Sequence, residues 1–465
     1  MSAPLIWAGL PILFGVILWF VKNHPLIQML AGGLLFVVFT ILALVLPIEI
    51  PAGGQSGGLI IGSSLNLLGR QFVLTRAEQP VLILLFGFST LWMFGLFAER
   101  QARKMVSYGL VILGLLTASL MVQPFLYAAL LIEAAVLISV PLLANTASRN
   151  NRGLVRFVIF LSLAVPLTLL AGWAANLAEA NPANAMFQNR AAILLALGFS
   201  FMLGVFPLFT WMPMLSEETH PYISGFLLNL LSVVILFLGV RFLNTYGWLR
   251  TMTGVPYTMQ TAGALMVLTA GVWAGFDRKI LRLPAYLNVL QNGLALVALS
   301  LRGESPLILF SGLLIPRLVM TAFLCLAISD LARRPQVEKG AFSSHPYAAG
   351  MVILSIFSLA GFPLLAGFPS FLVLIERLGQ QPAALVIMVV LGLIGLAGAG
   401  IRHLISMVGK PSEMEGKDKV IEPSGSRLLN IYFGMGILVC LIIGLIPSRI
   451  MSAAELLVGA FQNWQ

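Results

Sequence analysis

The sequence predicts an all-α integral membrane protein, and three observations lead to that fold class. Of the 465 residues, 59% are hydrophobic and only 9% are charged, whereas soluble domains carry about 25% charged residues. The apolar residues form repeated runs long enough to cross the ~30 Å hydrocarbon core of a bilayer. The runs are continuous and rich in Leu, Ala and Gly, which favours helices over the alternating pattern of a membrane β-barrel.

About fourteen transmembrane helices are predicted, because each run is close to the ~20 residues that one crossing needs. In chain order they cover residues 3–21, 26–47, 80–97, 105–122, 124–145, 155–175, 190–211, 222–243, 259–276, 283–300, 305–328, 348–374, 383–409 and 428–447. The first run lacks a basic leader and a small-residue cleavage site, so it is predicted to be a retained helix rather than a signal peptide.

Two segments interrupt the series of apolar runs. Residues 51–79 are Gly-rich and polar, and they are predicted to form a short hairpin or an interfacial segment. Residues 411–427 form the one long polar loop. The tail after Pro447 is short and weakly amphipathic.

The basic residues predict the orientation. Eighteen Lys and Arg residues lie in or next to the loops after odd-numbered spans, eight lie in or next to the loops after even-numbered spans, and Arg317 alone lies in the middle of a span. Cytoplasmic loops are enriched in Lys and Arg, so the odd loops are predicted to face the cytoplasm. Both termini are then expected on the non-cytoplasmic side of the cell (inner) membrane.

Two apolar spans carry the same interruption. The segment LGVFPLFTWMP (203–213) contains Pro207 and Pro213, and LAGFPLLAGFP (359–369) contains Pro363 and Pro369 at the matching positions. Proline removes a helical hydrogen bond, and Pro-interrupted spans at corresponding places in two halves are typical of transporter repeats. We therefore predict broken helices in spans seven and twelve, although ordinary proline kinks would give the same sequence pattern.

The five-span separation of these breaks predicts two inverted five-helix repeats, spans 4–8 and 9–13. The chain would then divide into an N-terminal part with helices 1–3, two repeats, a polar cytoplasmic loop and a C-terminal helix with its tail. The boundaries are residues 1–100 (including the hairpin-like segment 51–79), 101–245, 246–410, 411–427 and 428–465.

Composition excludes several other functional classes. The net charge is +10, but the basic residues are dispersed over short loops, so no nucleic-acid partner is expected. The two cysteines, Cys325 and Cys440, lie singly in apolar segments without metal or disulfide spacing. No nucleophile triad, phosphate loop or dinucleotide motif is present. The chain is therefore expected to have no catalytic site, metal or cofactor of its own.

Four motifs resemble the antiporter-like membrane subunits of respiratory complex I, membrane-bound hydrogenases and Mrp-type cation/proton antiporters. They are LLIEAA (130–135), PLFTWMPMLSEETHPYISG (207–225), DRKILRLPAYLNVLQNG (277–293) and LAGFPLLAGFPSF (359–371). The resemblance runs nearly end to end. It implies a subunit in the proton-translocating arm of a larger redox complex, with redox chemistry in other subunits and intramembrane Glu, Lys and His residues relaying protons.

The chain departs from this family pattern at the residues that would carry protons. Apolar side chains occupy four positions where the family has lysine and one where it has histidine: Met202, Val233, Leu281, Phe371 and, for the histidine, Phe209. The resemblance therefore implies a depleted proton relay.

Two ionisable residues remain deep in predicted spans. Glu133 lies in span five and Arg317 in span eleven. A charge at the bilayer centre costs roughly 3 kcal/mol or more, so such residues usually face the bundle and have a partner. Both are candidates for a proton path. The alternatives are a protonated Glu133 bonded to a neighbour, and an Arg317 that snorkels or binds a backbone carbonyl.

Six further polar residues are secondary candidates. Gln291, Asn292 and Asn229 could hold water in a span interior, or join helices as polar contacts. Glu217, Glu218 and His220 are predicted to lie in the loop between spans seven and eight, as solvated charges or a subunit contact.

Three functions remain open. The first is a membrane-arm subunit of a complex-I-like assembly of the NADH:quinone oxidoreductase or hydrogenase type, non-catalytic itself, with a depleted relay and with other membrane-arm and redox subunits as partners. The second is an active proton or cation antiporter subunit that uses Glu133 and Arg317. The third is a stand-alone secondary solute transporter, for which Thr210 and Ser370 beside the breaks are thin support.

Overall fold

The computed structural model is helical apart from one small sheet, which confirms the predicted all-α membrane class. It describes residues 2–46, 48, 61–67, 69–99, 103–144, 151–182, 184–301, 306–333, 339–409, 427–459 and 461. Within these residues the α-helices are α1 (Leu10–Phe20), α2 (Pro25–Val45), α3 (Gln79–Leu96), α4 (Met105–Met121), α5 (Ala128–Leu143), α6 (Arg152–Ala180), α7 (Ala185–Leu203), α8 (Trp211–Glu218), α9 (Pro221–Thr245), α10 (Gly247–Thr251), α11 (Gly254–Phe276), α12 (Leu283–Ser300), α13 (Pro306–Leu331), α14 (Ala341–Ser344), α15 (Pro346–Leu359), α16 (Phe368–Leu378), α17 (Ala383–Val408), α18 (Arg427–Leu445) and α19 (Pro447–Val458).

Eleven helical segments of the described chain are long and apolar enough to cross a membrane, which supports a multi-pass membrane protein. Three shorter apolar helices accompany them: Leu5–Phe20, Met105–Met121 and Pro346–Leu359. The predicted polar loop 411–427 lies outside the described residues except for Arg427, which begins α18.

A small antiparallel sheet lies within and beside the polar segment 51–79. Strands β1 (Ser64–Leu67) and β2 (Arg70–Val73) pair as a hairpin, and β2 also pairs with β3 (Val122–Gln123) after α4. Gly69 sits between β1 and β2 with a φ of 70°, which glycine adopts without steric cost. The hairpin therefore attaches the polar segment to the end of α4.

Close backbone contact holds α11 against its neighbour α17. A Cβ atom added to Gly271 of α11 would lie 1.9 Å from the carbonyl oxygen of Gly392 in α17. Small residues permit this approach, which is a common way for membrane helices to gain van der Waals packing.

We expect Gly271→Ala to lower the free energy of unfolding by about 1–3 kcal/mol, because the added methyl group overpacks this crossing. Gly398→Ala on α17 is the matched control, since no atom lies within 4 Å of its added Cβ. Thermal unfolding in lipid nanodiscs checks the pair. Equal melting temperatures for the two variants would contradict the packing argument.

The two predicted helix breaks are present as chain interruptions. Helix α7 ends at Leu203, and a 3₁₀ turn (Leu208–Thr210) separates it from α8. Helix α15 ends at Leu359, and α16 begins at Phe368. Gly204 and Gly361 have φ values of 66° and 81° at the two interruptions, a conformation that ends a helix readily when the residue is glycine.

The four prolines of the matched segments occupy two kinds of place relative to the helices. Pro207 and Pro363 lie in the interruptions themselves, while Pro213 and Pro369 lie in the first turns of α8 and α16. In a first turn the missing N–H costs nothing, because that donor has no helical partner. The first proline of each segment therefore stands at the break, and the second helps to start the following half-helix.

The centre of the bundle consists of three helices, α9, α12 and α13, whose membrane-length segments are almost entirely buried. Helix α12 packs against α9, α11 and α13, and α13 packs against α9 and α15. The polar residues of these helices have no route to lipid, so each must find a partner inside the protein.

Candidate functional site

Arg317 lies at the centre of the bundle, on α13 immediately after Pro316. Its side chain is only 1% exposed. The guanidinium Nη2 donates to the amide oxygens of Asn288 (2.7 Å) and Asn292 (2.8 Å), and Nε donates to the amide oxygen of Asn229 at 3.4 Å. Because Arg317 does not reach the surface, the snorkelling alternative is wrong, and its partners are side-chain amides.

A serine completes what we call the Arg317 cluster, namely Arg317, Asn229, Ser232, Asn288 and Asn292. The amide nitrogens of Asn288 and Asn292 both approach Ser232 Oγ, at 3.0 and 3.2 Å. Asn229 donates to the carbonyl of Gly225 at 3.0 Å. The asparagines thus turn their oxygens towards the cation and their nitrogens away from it. The predicted residues Arg317, Asn229 and Asn292 come together here.

The cluster is attached to the first helix break, and a neighbouring amide reaches the second. Asn292 donates to the carbonyl of Leu203, the last residue of α7, at 3.3 Å. Gln291 donates to the carbonyl of Leu359, the last residue of α15, at 3.1 Å. Carbonyls at a helix end lack a helical partner and are costly to leave unsatisfied at membrane depth. Two consecutive residues of α12 therefore satisfy one carbonyl at each break.

Asn288 was not among the sequence-based candidates, although it contributes one of the shortest bonds to Arg317. The spacing of polar residues could have identified it. Gln291 and Asn292 follow Asn288 by three and four residues, so all three lie on one surface of a helix.

Hydrophobic packing occupies the positions where the resemblance implies titratable side chains. Four of these five side chains are buried in the core, namely Met202, Phe209, Val233 and Phe371. The fifth, Leu281, is partly buried against the core. A thioether, an alkyl chain or a phenyl ring cannot accept a proton from water. These positions therefore contribute volume to the core rather than charge.

Glu133 lies apart from the Arg317 cluster in its bonding. It is half-buried on α5, and its Oε1 accepts a hydrogen bond from Ser162 of α6 at 2.5 Å. The other carboxyl oxygen, Oε2, is buried and has no hydrogen-bond partner among the described residues. The alternative in which Glu133 is hydrogen-bonded to a neighbour therefore holds for Oε1 only.

Glu217 and Glu218 are not loop residues, as the sequence interpretation had them, but the last two residues of α8. Glu217 forms ion pairs with Lys279 (2.6 Å) and Arg282 (2.5 Å). Glu218 accepts a hydrogen bond from the backbone of Gly153 at 2.7 Å. Both carboxylates connect the C-terminal end of α8 to neighbouring elements.

The same network includes Asp277 in the turn before α12. Asp277 accepts hydrogen bonds from Arg282 and from the hydroxyl of Tyr286. Burial alone would raise the pKa of Asp277, but the backbone N–H of Lys279, the Tyr286 hydroxyl and the Arg282 charge together hold that pKa below its ordinary value. The carboxylate therefore stays charged as a fixed anchor for the start of α12.

His220 lies between α8 and α9, beside Glu99, a carboxylate that was not among the sequence-based candidates. Glu99 follows α3 and is fully buried. Its Oε2 accepts hydrogen bonds from Ser329 (2.8 Å) and Arg333 (2.6 Å). In the sequence Glu99 stands at the end of an apolar run beside Arg100, so it has the pattern of an ordinary loop charge. We call Glu99, His220, Ser329 and Arg333 the Glu99 cluster.

The chemistry available at the Arg317 cluster is limited by its residue types. Arginine keeps its proton in proteins, and carboxamides and hydroxyls do not titrate near neutral pH. The cluster supplies a fixed positive charge and a ring of oriented dipoles. Among the described residues no group of three or more His, Cys, Asp or Glu side chains is placed to hold a metal ion.

The chain matches a protein-family model and curated relatives. Residues 157–395 match the family model described as NADH:quinone oxidoreductase/Mrp antiporter, TM. A hydrogenase-4 component F homolog from Methylacidiphilum infernorum is 29% identical over 238 residues, covering 48% of each chain. NADH-quinone oxidoreductase subunit N 2 from Syntrophobacter fumaroxidans is 25% identical over 268 residues, 56% of this chain and 55% of that one. The chain thus matches about half the length of these curated relatives.

Solved structures share the fold over nearly the whole chain. A chain of the Mrp complex from Dietzia sp. superposes with a TM-score of 0.80 at 15% identity, covering 99% of this chain and 97% of that chain. A chain of respiratory complex I from Thermus thermophilus gives a TM-score of 0.77 at 20% identity, covering 98% of both. At these identities the likeness is one of fold.

Proposed function

Because the chain belongs to the family of NADH:quinone oxidoreductase and Mrp antiporter membrane subunits, we propose that it is a membrane-arm subunit of a complex-I-like assembly with a depleted proton relay. The observation that carries this proposal is the composition of the bundle centre. Arg317 is held there by carboxamides, and the positions of the expected lysines are filled by Met202, Val233 and Phe371.

The centre is expected to block cations rather than relay them. Arg317 cannot release a proton, and its amide partners cannot accept one. A second positive charge 4 Å from Arg317 would be opposed by about 4 kcal/mol at an effective dielectric constant of 20. The cluster would therefore oppose the entry of protons or metal cations, while Asn292 and Gln291 of α12 bind one carbonyl at each break.

The proposed architecture has fourteen crossings, with both termini on the non-cytoplasmic side of the inner membrane. The eleven membrane-length segments and the three shorter apolar helices add up to this number. Spans 4–8 and 9–13 would be two inverted repeats, covering residues 101–245 and 246–410. The matched interruptions and the paired bonds from Gln291 and Asn292 to the two break carbonyls support this division.

Other membrane-arm and redox subunits are the proposed partners. The structural neighbours include chains of an Mrp complex, an archaeal respiratory membrane complex and respiratory complex I. A tagged chain extracted in a gentle detergent should co-purify with quinone-reductase-like or hydrogenase-like subunits. Purification of the chain by itself from its native membrane would argue against the assembly.

Reconstituted liposomes test the depleted relay. We expect the purified chain to give the same pH-driven proton flux as empty liposomes, because the Arg317 cluster contains no side chain that titrates near neutral pH. Gramicidin added to the same vesicles is the positive control for detection, and Glu133→Gln is the matched variant. Flux that exceeds the empty vesicles and disappears in Glu133→Gln would refute the proposal.

Proton flux that depends on Glu133 would favour the second candidate, an active proton or cation antiporter subunit. One specific observation supports that candidate: Glu133 has a buried carboxyl oxygen without a hydrogen-bond partner among the described residues, next to a bond from Ser162. A carboxyl group in that setting could take up a proton. One carboxyl oxygen is hydrogen-bonded and the other is not, so substitution of Glu133 distinguishes between the two functions.

A further inference from the structure

The Glu99 cluster lies at one end of the bundle and is not used by the proposed function. His220 Nε2 lies 3.3 Å from Ser329 Oγ and 3.8 Å from Glu99 Oε1. Ser329 in turn donates its hydroxyl hydrogen to Glu99 Oε2, which also accepts from Arg333. An imidazole, a hydroxyl, a buried carboxylate and a guanidinium therefore form one connected hydrogen-bond chain.

The direction of these bonds determines the tautomer of His220. A serine hydroxyl has one hydrogen, and that of Ser329 goes to Glu99. Ser329 can therefore only accept from His220, so the neutral imidazole carries its hydrogen on Nε2. The other ring nitrogen, Nδ1, is buried and has no hydrogen-bond partner among the described residues. Its lone pair is available, so a proton added there breaks no existing hydrogen bond.

Access to this cluster is one-sided. The side chains of Arg333 and His220 are 36% and 20% exposed, so the site communicates with the face of the protein that carries them. Towards the Arg317 cluster, α9 and α13 are in close contact: a Cβ added to Gly225 would lie 2.3 Å from Cys325 Sγ and 3.0 Å from Trp92 Cη2. At this level α9 packs closely against Cys325 of α13 and Trp92 of α3, between the two clusters.

We propose that His220 Nδ1 is a proton-binding site that exchanges with the aqueous side on the face where His220 and Arg333 are exposed, and that the packed contact at Gly225 and Cys325 separates it from the bundle centre. The site binds a proton without passing it on. The orientation rule would place it on the cytoplasmic face, because Arg333 belongs to an odd-numbered loop. The proposal concerns proton binding, so it stands or falls independently of flux through the protein.

The charges around His220 act in opposite directions. Burial lowers the pKa of His220, Glu99 raises it, and Arg333 lowers it, with a net result below the ordinary value of 6.5. Asp330 and His345 form the next pair outward, with Asp330 3.9 Å from both Arg333 and His345. Glu218, on α8, accepts from Gly153. His220 is therefore neutral at pH 7 and gains its proton as the pH falls.

Nitrogen-15 NMR of the histidine side chains tests the proposal on the full chain in lipid nanodiscs. The sequence contains only four histidines, so His220→Gln identifies the resonances of His220 by their loss. At pH 7 we expect an unprotonated Nδ1 and a protonated Nε2. Arg333→Gln should shift the titration of His220 to higher pH, and Glu99→Gln should shift it to lower pH, because they remove opposite charges.

Two further variants control for structural damage. Arg333→Lys keeps the positive charge and should restore a titration close to that of the wild type. Lys279→Gln removes a charge from the Glu217 ion pair and should leave His220 unchanged. A His220 ring that is already protonated at pH 7, a hydrogen on Nδ1 instead of Nε2, or an equal titration in Arg333→Gln and Glu99→Gln would each overturn the proposal.

Discussion

Replacing Asn288 and Asn292 together by leucine should lower the free energy of unfolding by about 3–5 kcal/mol, the largest effect that we expect from the membrane interior. Both short bonds to the guanidinium of Arg317 would be lost, and the charge would keep only the longer bond to Asn229. Removing the partners of a buried charge typically costs 3–5 kcal/mol, because an uncompensated charge remains in a low dielectric.

A third substitution separates the charge from the packing. Adding Arg317→Met to the Asn288→Leu, Asn292→Leu pair removes the charge that the asparagines solvate. An apolar replacement of a whole buried polar group is often nearly neutral, so the triple variant should regain most of the lost stability. Steric-trap unfolding in bicelles measures these free energies. A triple variant no more stable than the double would show that leucine packing, and not the charge, causes the loss.

Glu78→Ala should produce the second large effect, about 3–5 kcal/mol, at the opposite end of α9 from His220. Glu78 pairs with Arg241, a mostly buried residue whose guanidinium also lies 4.7 Å from the ring centre of Phe125. The same carboxylate accepts a hydrogen bond from the backbone of Thr75 at 3.0 Å. The substitution would remove the anion of a buried pair and leave the cation in place, which is the costly way to break such a pair.

The matched control for Glu78 is Glu217→Ala. Glu217 also pairs with basic residues, but Glu217 itself is 28% exposed and its partners Lys279 and Arg282 are 55% and 29% exposed. Ion pairs that water can reach contribute less than buried ones, so this variant should lose clearly less stability than Glu78→Ala under the same conditions. If the two variants lose equal stability, burial of Arg241 does not set the strength of its ion pair.

The sequence was sufficient for the coarse architecture because hydrophobic length is a local property. A bilayer admits only segments whose own backbone hydrogen bonds are satisfied, so apolar runs of about 20 residues predict helices without knowledge of their neighbours. The two interruptions were equally local, since Pro207 and Pro363 disturb helix geometry wherever those helices pack.

The same local reasoning failed for Glu217 and Glu218. Their polarity predicted a solvated loop, but α8 continues through both residues. In the packed structure Glu217 binds Lys279 and Arg282, and Glu218 binds Gly153. These partners are 62 to 65 residues away in sequence. Polarity indicates that a residue needs a partner or water, and only the packed structure shows which of the two it has.

What the sequence determined by itself is the type of side chain available at each depth: a buried arginine, several amides, and apolar residues where the family pattern has lysines. What only the tertiary structure decided is which of them meet. Arg317 contacts Asn288 and Asn292 because α12 and α13 pack side by side, and Glu99 joins His220 and Arg333 because the ends of three helices converge there. The depth of a residue in the membrane follows from the free energy of placing that one residue in lipid. The contact between two side chains depends on the packing of whole helices, which no short sequence pattern encodes.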